Sequence, residues 1–258
     1  MPYADLHVHT TRSDGALELA EVPDAARRGG VAVVALTDHD RLQPFDEPAI
    51  ERDGIRIVHG IELRVETDAG QRVDLLGYGI EPTADLEATT ERIQRNRIER
   101  GRAIVDRVED RLDVDLGVTV DDGFGRPHVA RAIDAHPDAA YDYEGAFDHL
   151  IGNDGPCFVP RELPSFEHGR QVLSEAGQLV SLAHPFRYPD PGAALELTSE
   201  LDAVERYYPY GRAVDSSQVD RAIERHGLLA TGGTDAHERE LGVTGLSEAE
   251  YQRLGLEN

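Results

Sequence analysis

Apolar residues recur in two rhythms along this chain, short strand-like runs near both ends and a helical period between them. Tyr3 to Val8 predicts a first strand, and Leu17 to Arg28 an amphipathic helix stopped by Gly29-Gly30. Val31 to Leu36 is a continuous apolar run, the pattern of a strand buried on both faces of a parallel sheet. Residues 44–54, with two prolines and a short polar segment, are expected to hold one helical turn at most. Ile55 to Ile61 predicts a third strand ending at Glu62, and Arg72 to Tyr78 a fourth. From about Thr83 the spacing of Leu86, Ile93, Ile98, Ile104, Val105, Val108 and Leu112 becomes helical. Further helices are predicted at 127–136, 143–151 and 165–176, with turns at Asp122-Gly123 and Gly152-Asn153-Asp154-Gly155. Leu179 to Ala183, Leu201 to Arg206 and Leu228 to Thr231 read as strands five to seven, separated by helical segments near 192–199 and 215–226.

Strands alternating with helices predict right-handed βαβ units in a parallel sheet. The expected fold class is α/β, a seven-stranded β/α barrel, with an open α/β sheet as the alternative. The change of period divides the chain into a barrel over 1–84 and 176–258 and a helical insertion over 85–175.

Composition changes this picture in one respect. The formal net charge is −24, from 50 acidic and 26 basic residues, and every basic residue is Arg. Such an acidic coat suits a very salty cytoplasm, where screening shortens to about 3 Å, so a halophilic source is expected. It also argues against holding long duplex nucleic acid, which needs many basic contacts to phosphate, while allowing a small phosphorylated substrate. The single cysteine, Cys157, fits a reducing compartment. No signal peptide is visible, and the longest apolar run, Val31 to Leu36, is too short to span a bilayer, so a cytoplasmic protein without membrane partners is expected. Nothing in the sequence bears on oligomeric state.

Candidate chemistry lies where the strands end. In Asp5-Leu6-His7-Val8-His9-Thr10, strand alternation sends His7 and His9 to the same side, about 7 Å apart along the chain, close enough to converge on one ion. Ser13-Asp14-Gly15, Thr37-Asp38-His39-Asp40, Gly60-Ile61-Glu62, His184-Pro185 and Thr234-Asp235-Ala236-His237 repeat the arrangement of His or carboxylate near an apolar run. At the C-terminal ends of barrel strands such groups would share one site. His7, His9, Asp14, His39, Glu62, His184, Asp235 and His237 form a nitrogen and oxygen donor set without thiolate, suited to Zn²⁺, Mn²⁺ or Fe²⁺. Eight donors exceed the needs of one ion, so two or three divalent ions are expected, able to activate water and neutralise phosphate oxygens. Ser181 and Cys157 have no nucleophile motif around them.

Asp-Leu-His-Val-His-Thr with Ser-Asp-Gly, then Leu-Thr-Asp-His-Asp, Gly-Ile-Glu, Gly-Arg-Pro-His, Leu-Ala-His-Pro and Gly-Gly-Thr-Asp-Ala-His occur in that order from Asp5 to His237. The series resembles the PHP (polymerase and histidinol phosphatase) metal-dependent phosphoesterases, and most of all the branch of nucleoside 3′,5′-bisphosphate phosphatases and 5′-to-3′ exoribonucleases. That resemblance implies a distorted (β/α)7 barrel with an inserted helical domain and a trinuclear site. By motif, His7, His9, Glu62 and Asp235 would hold one ion, Glu62 and His184 a second, and Asp14, His39 and His237 a third, with Glu62 bridging. Asp14, His39 and His237 also stand as catalytic candidates. Asp5, Asp38 and Asp40 would orient ligand His rings from behind. Arg126 and His128 of Gly-Arg-Pro-His would hold a second, non-reacting phosphate, the alternative being a plain helix start with Pro127 in its first turn. Arg161 and Arg187 are weaker phosphate candidates, for which a surface ion pair is the favoured reading. Tyr207 and Tyr208 could stack a base or pack the rim.

One position departs from the family. Its fourth strand usually carries a His in a context like Val-His-Leu-Leu-Gly-Tyr-Gly, whereas this chain has Asp74 in Val73-Asp74-Leu75-Leu76-Gly77-Tyr78-Gly79. Alternation puts Asp74 on the face of Leu76 and Tyr78, where an unpaired acid is costly. Asp74 is therefore expected to face the site and ligate the second ion, favouring a hard metal such as Mn²⁺ over Zn²⁺, with Fe²⁺ also allowed by the donor set. The resulting expectation is a phosphoesterase that acts on small nucleotides or short RNA ends by metal-activated hydroxide. Histidinol-phosphate phosphatase and an inactive metal-binding scaffold are the alternatives.

Overall fold

A computed structural model describes residues 1–121 and 123–256; of the predicted Asp122-Gly123 turn, Asp122 lies outside the described residues. Two compact units are present, one of residues 1–90 and 163–258 and one of 91–162.

The larger unit is α/β, as expected, and is built on a sheet of β1 (Ala4–Val8), β2 (Val33–Leu36), β3 (Ala49–Arg52), β4 (Ile55–Glu66), β5 (Arg72–Tyr78), β6 (Leu179–Leu182), β7 (Ala203–Tyr207) and β8 (Leu229–Gly232). Their order is β1-β2-β4-β5-β6-β7-β8, with β3 paired to β4. The sheet curls. Beyond β8, Ala236 donates to the carbonyl of His7 (3.2 Å) and accepts from the amide of His9 (3.0 Å), which returns the end of the sheet onto β1.

The expected all-parallel order is corrected at one strand. β5 runs antiparallel to both β4 and β6. Only residues 67–71 connect β4 to β5, enough for a hairpin and far short of the dozen or more that a parallel crossover needs. Residues 44–54 hold a strand, β3, instead of a helical turn. Asp53 and Gly54 both take positive φ (51° and 78°), the two-residue turn that matches strand twist and folds β3 onto β4. Because β4 continues to Glu66, Glu62 and Asp74 lie inside paired strands and not at strand ends.

The helix α1 (Val22–Gly29) begins later than its apolar period, with Pro23 fixing its first turn, and buries Val22, Ala25 and Ala26 against Val34, Leu36 and Ile57. Inside the sheet, Leu6, Ala35, Leu76, Tyr78 and Ala203 share another apolar cluster.

The helix α2 (Ala84–Leu112) carries the chain into the smaller unit, which also holds α3 (Arg126–Ala135) and α4 (Tyr143–Ala146), the latter running into a π-turn at Phe147–Ile151. Ile104, Val108, Val129, Ile133, Leu150 and Cys157 give this unit its own core. The helix α5 (Phe166–Ala176), expected within the insertion, belongs to the larger unit instead. Its Gly169 approaches β4 so closely that a Cβ there would lie 2.4 Å from Val65. The remaining helices, α6 (Pro191–Glu196), α7 (Ser217–His226) and α8 (Glu248–Arg253), are in the larger unit. No helix among the described residues is long and apolar enough to cross a membrane.

Candidate metal centre

His7 in β1 and His9 just past its end are both fully buried, and alternation along the extended chain sends them to one side. Gly233 lets the segment after β8 approach them, since a Cβ there would stand 2.2 Å from the amide of His7. Asp235 follows with φ of 52°, and His184, just after β6, has φ of 25°. Non-glycine residues held in such backbone are strained and persist only where their surroundings fix them.

Glu62 lies at the centre. Its Oε2 is 2.9 Å from His39 Nδ1, 3.4 Å from His7 Nε2 and 3.3 Å from His9 Nε2, while its Oε1 is 2.8 Å from His184 Nε2. Asp235 Oδ1 lies 3.3 Å from His7 Nε2 and 3.1 Å from His9 Nε2. Asp14 is 3.6 Å from His9, 3.8 Å from His39 and 3.5 Å from His237. Donor atoms fall into three groups, each within 4.8 Å: His7, His9, Glu62 and Asp235; His9, Asp14, His39 and His237; and Glu62, Asp74 and His184. Eight positions expected from the motifs, together with Asp74, are thus brought to one place.

These donors fit a metal by their hydrogen bonding as well as their type. Nε2 of His7, both ring nitrogens of His9 and Oε2 of Glu62 are buried and make no hydrogen bond, although they converge. Buried polar atoms are costly unless something satisfies them, and divalent cations satisfy convergent imidazole and carboxylate lone pairs. Protons respond to the same field. Burial opposes the charged form of His9, but the carboxylates of Asp235 and Glu62 outweigh it and raise its pKa to about 9. Burial likewise works against ionised Asp14 and Asp235, yet the surrounding imidazoles hold both well below the ordinary carboxylate range.

Carboxylates also stand behind the donor groups. Asp5 accepts from the amides of Thr234 (2.8 Å) and Gly242 (2.8 Å) and from the Thr234 hydroxyl, so it ties strand ends together. Asp38 accepts from the Thr10 amide and hydroxyl, Ser13 and Gln43. Asp40 takes the amide of Arg64 at 3.0 Å. Glu205, which the sequence reading missed, accepts from His7 Nδ1 at 3.0 Å and from the amide of His184 at 2.7 Å. Buried inside β7, it could have been flagged by the cost argument applied to Asp74.

Arg64 was missed too. It pairs across the hairpin with Asp74, Nε to Oδ1 and Nη2 to Oδ2, both at 2.7 Å. Arg187, weighed only weakly from sequence, donates from Nη1 to Asp235 Oδ2 (2.8 Å) and to the Tyr208 hydroxyl (2.9 Å), and Tyr208 itself donates to Asp235 (2.7 Å). Tyr207 points elsewhere, its hydroxyl bonded to Glu250. Arg126 and His128 have local partners within the smaller unit. Arg126 donates to the Ile151 carbonyl and Asn153, beside the Phe147 and Phe158 rings, while His128 Nδ1 accepts from the Gly125 amide. Those contacts are the ones a helix start requires. Arg161 belongs to the smaller unit as well.

Comparison with known proteins follows the same line. The PHP domain model matches residues 5–153. The chain is 29% identical to a phosphoribosyl 1,2-cyclic phosphate 1,2-diphosphodiesterase from Eggerthella lenta, over 90% of this chain and 93% of that one. It is 30% identical to a 3′,5′-nucleoside bisphosphate phosphatase from Chromobacterium violaceum, over 92% and 88%. Its fold is similar to that of an amidohydrolase from Chromobacterium violaceum solved with bound sulfate and no metal, with a TM-score of 0.72, 24% identity, and coverage of 98% and 96%.

Proposed function

The chain belongs to the PHP domain family and is a metal-dependent phosphoric ester hydrolase, and from that membership we propose that it removes phosphate from small phosphorylated nucleotides, a nucleoside 3′,5′-bisphosphate first among them. The observation that carries this reading is the convergence of His7, His9, Asp14, His39, Glu62, His184, Asp235 and His237 on one place, with the Asp14 side open to solvent. Bound divalent ions supply water activation and neutralisation of phosphate oxygens. The imidazole and carboxylate donors, with no thiolate, suit Mn²⁺, Zn²⁺ or Fe²⁺, and Mn²⁺ is the ion chosen for the assay. Glu62 belongs to two of the three groups and lies 2.9 Å from His39 of the third, and Glu205 fixes the His7 ring and the strained His184 backbone. Asp14, His39 and His237, the accessible donors, are where the substrate phosphate arrives and proton movement takes place. Arg187 stands beside them on Asp235 and can turn its guanidinium to a phosphate oxygen. Tyr208, packed 4.6 Å from Tyr210, offers a face for a base. The substrate is thus a small phosphorylated molecule or a short RNA end.

Phosphate release with Mn²⁺ at high salt tests the proposal, over adenosine 3′,5′-bisphosphate, AMP, phosphoribosyl 1,2-cyclic phosphate, histidinol phosphate and short 5′-phosphorylated RNA. The bisphosphate should give the highest kcat/KM, and preference for histidinol phosphate or the cyclic ester would overturn the nucleotide assignment. Arg187→Ala should lower kcat/KM on the preferred substrate by about ten- to a hundredfold, the loss of one charged hydrogen bond. Arg126→Ala should cost the bisphosphate and AMP equally. A larger loss on the bisphosphate would give Arg126 and His128 the second phosphate after all.

A further inference from the structure

The corner formed by Glu62, Asp74 and His184 differs from the other two. Arg64 and Asp74 are directly opposed in the β4–β5 hairpin, so their side chains leave the sheet on one face within reach of each other. Glu62, two residues before Arg64, shares that face. The planar guanidinium meets both oxygens of the buried carboxylate at 2.7 Å. Asp74 is 1% exposed, and its Oδ2, 3.8 Å from His184 Nε2, is the oxygen that Arg64 Nη2 holds. An ion shared between Asp74 and His184 through that oxygen would stand beside a fixed positive charge. The contact that Arg187 makes with a neighbouring corner is of a different kind. Arg187 touches Asp235 through Oδ2, leaving Oδ1 toward His7 and His9.

We propose that Arg64, clamped by Asp74, supplies the positive charge of this corner in place of a divalent cation, so that the loaded enzyme holds two ions per chain. One is held by His7, His9, Glu62 and Asp235 and the other by Asp14, His39 and His237, while His184 is left as a hydrogen-bond partner of Glu62 (2.8 Å). Several features keep Arg64 there. Its amide is bound by Asp40, Asp74 is held through its own amide by the Tyr188 hydroxyl at 2.8 Å, and Tyr188 also donates to the Ala183 carbonyl at 3.0 Å, just before His184. The chain has thus exchanged an exchangeable cation for a covalently fixed one. This rests on the metal-dependent reading above.

The test is metal stoichiometry, read by elemental analysis of protein reconstituted with Mn²⁺ and freed of loose metal. Wild type should hold two Mn²⁺ per chain. Arg64→Met, which removes the charge and releases Asp74, and Arg64→Met with Asp74→His should each rise to three, whereas Arg64→Lys should stay at two. Three ions in wild type, or two in a double variant that keeps a cooperative thermal transition, would overturn the substitution of Arg64 for a cation. Wild type that binds no Mn²⁺ would overturn the metal-dependent reading itself, so the two failures are told apart. Should Arg64→Met fail to fold, the double variant, in which neither charge of the pair remains, carries the test.

Discussion

The inner and outer flanks of the cluster are built in opposite ways. On the inner flank, Glu62, Asp74 and His184 are almost wholly buried, and each is gripped by further groups: Arg64 on Asp74, Glu205 on the His184 amide, strained backbone at His184 itself. On the outer flank, the side chains of Asp14, His237 and His39 are 52%, 37% and 21% exposed, and they meet one another at 3.5–3.8 Å without close hydrogen bonds. The difference separates two tasks. A buried ion pair costs desolvation that only good geometry repays, so the inner flank is a fixed electrostatic floor. The outer flank is open to water and substrate and can adjust as charge develops.

The sharpest way to test that division is to remove one donor from the buried group of His7, His9, Glu62 and Asp235, which shares Glu62 with the inner flank, and one from the outer flank. Asp235→Ala takes a carboxylate from between His7 and His9 and should lower kcat/KM by about a thousandfold, the loss of several kcal/mol of metal-borne stabilisation, together with bound metal. Asp14→Ala should release an outer ion and leave an inner one, which elemental analysis would read as a partial loss of metal. If Asp235→Ala stayed within tenfold of wild type, or both variants lost all metal together, the two flanks would not be separable.

A second prediction probes what fixes the inner flank. Glu205 holds the His7 ring and the His184 amide with its two oxygens. Glu205→Gln keeps the shape but removes the charge that favours a proton on His7 Nδ1 and a lone pair on Nε2. Outer carboxylates of this kind typically contribute 10–100-fold in metal affinity. Mn²⁺ titration calorimetry should therefore show weakening within that range, with the substrate KM nearly unchanged. Unaltered Mn²⁺ affinity would make Glu205 a packing residue.

The contrast between flanks also marks what could be read from sequence. Donors close in sequence were legible, because alternation alone places His7 beside His9 and each motif ends an apolar run. Asp74 facing the cluster was legible through the cost of burying an acid. Arg64 was not, because its role depends on a hairpin that the expected parallel sheet excluded; the five residues between β4 and β5 held the signal. Glu205 acts at a distance of 198 residues from His7, and no local spacing announces such a contact. The helix α5 had the right period but the wrong unit, since periodicity gives a buried face without naming what covers it. Asp53-Gly54 is a hairpin turn in plain view, yet the two prolines and the short polar segment point to one helical turn at most.

The smallest effect expected concerns the link between the flanks. His59, three residues before Glu62 on β4, accepts the Gln43 amide at 3.0 Å on Nε2, and the Gln43 side chain donates to Asp38, which holds Thr10 and Ser13 near the outer donors. Burial pushes the His59 pKa down to about 4, so the ring stays neutral in the fold while an unfolded His titrates near 6.5. Between those values the unfolded chain binds the extra proton, and stability must fall as pH falls from about 6.5 toward 4. From pH 7 to 5.5 the His59 contribution to that fall is about 1 kcal/mol. Since other groups titrate in the same window, the measurement is the difference between wild type and His59→Gln, each unfolded in denaturant at both pH values. The variant should be less stable at pH 7 and lose less on acidification, by about that amount. Parallel pH profiles would mean that His59 takes up its proton in the fold over the same range as in the unfolded chain, and that Gln43, not the ring, carries the link to Asp38.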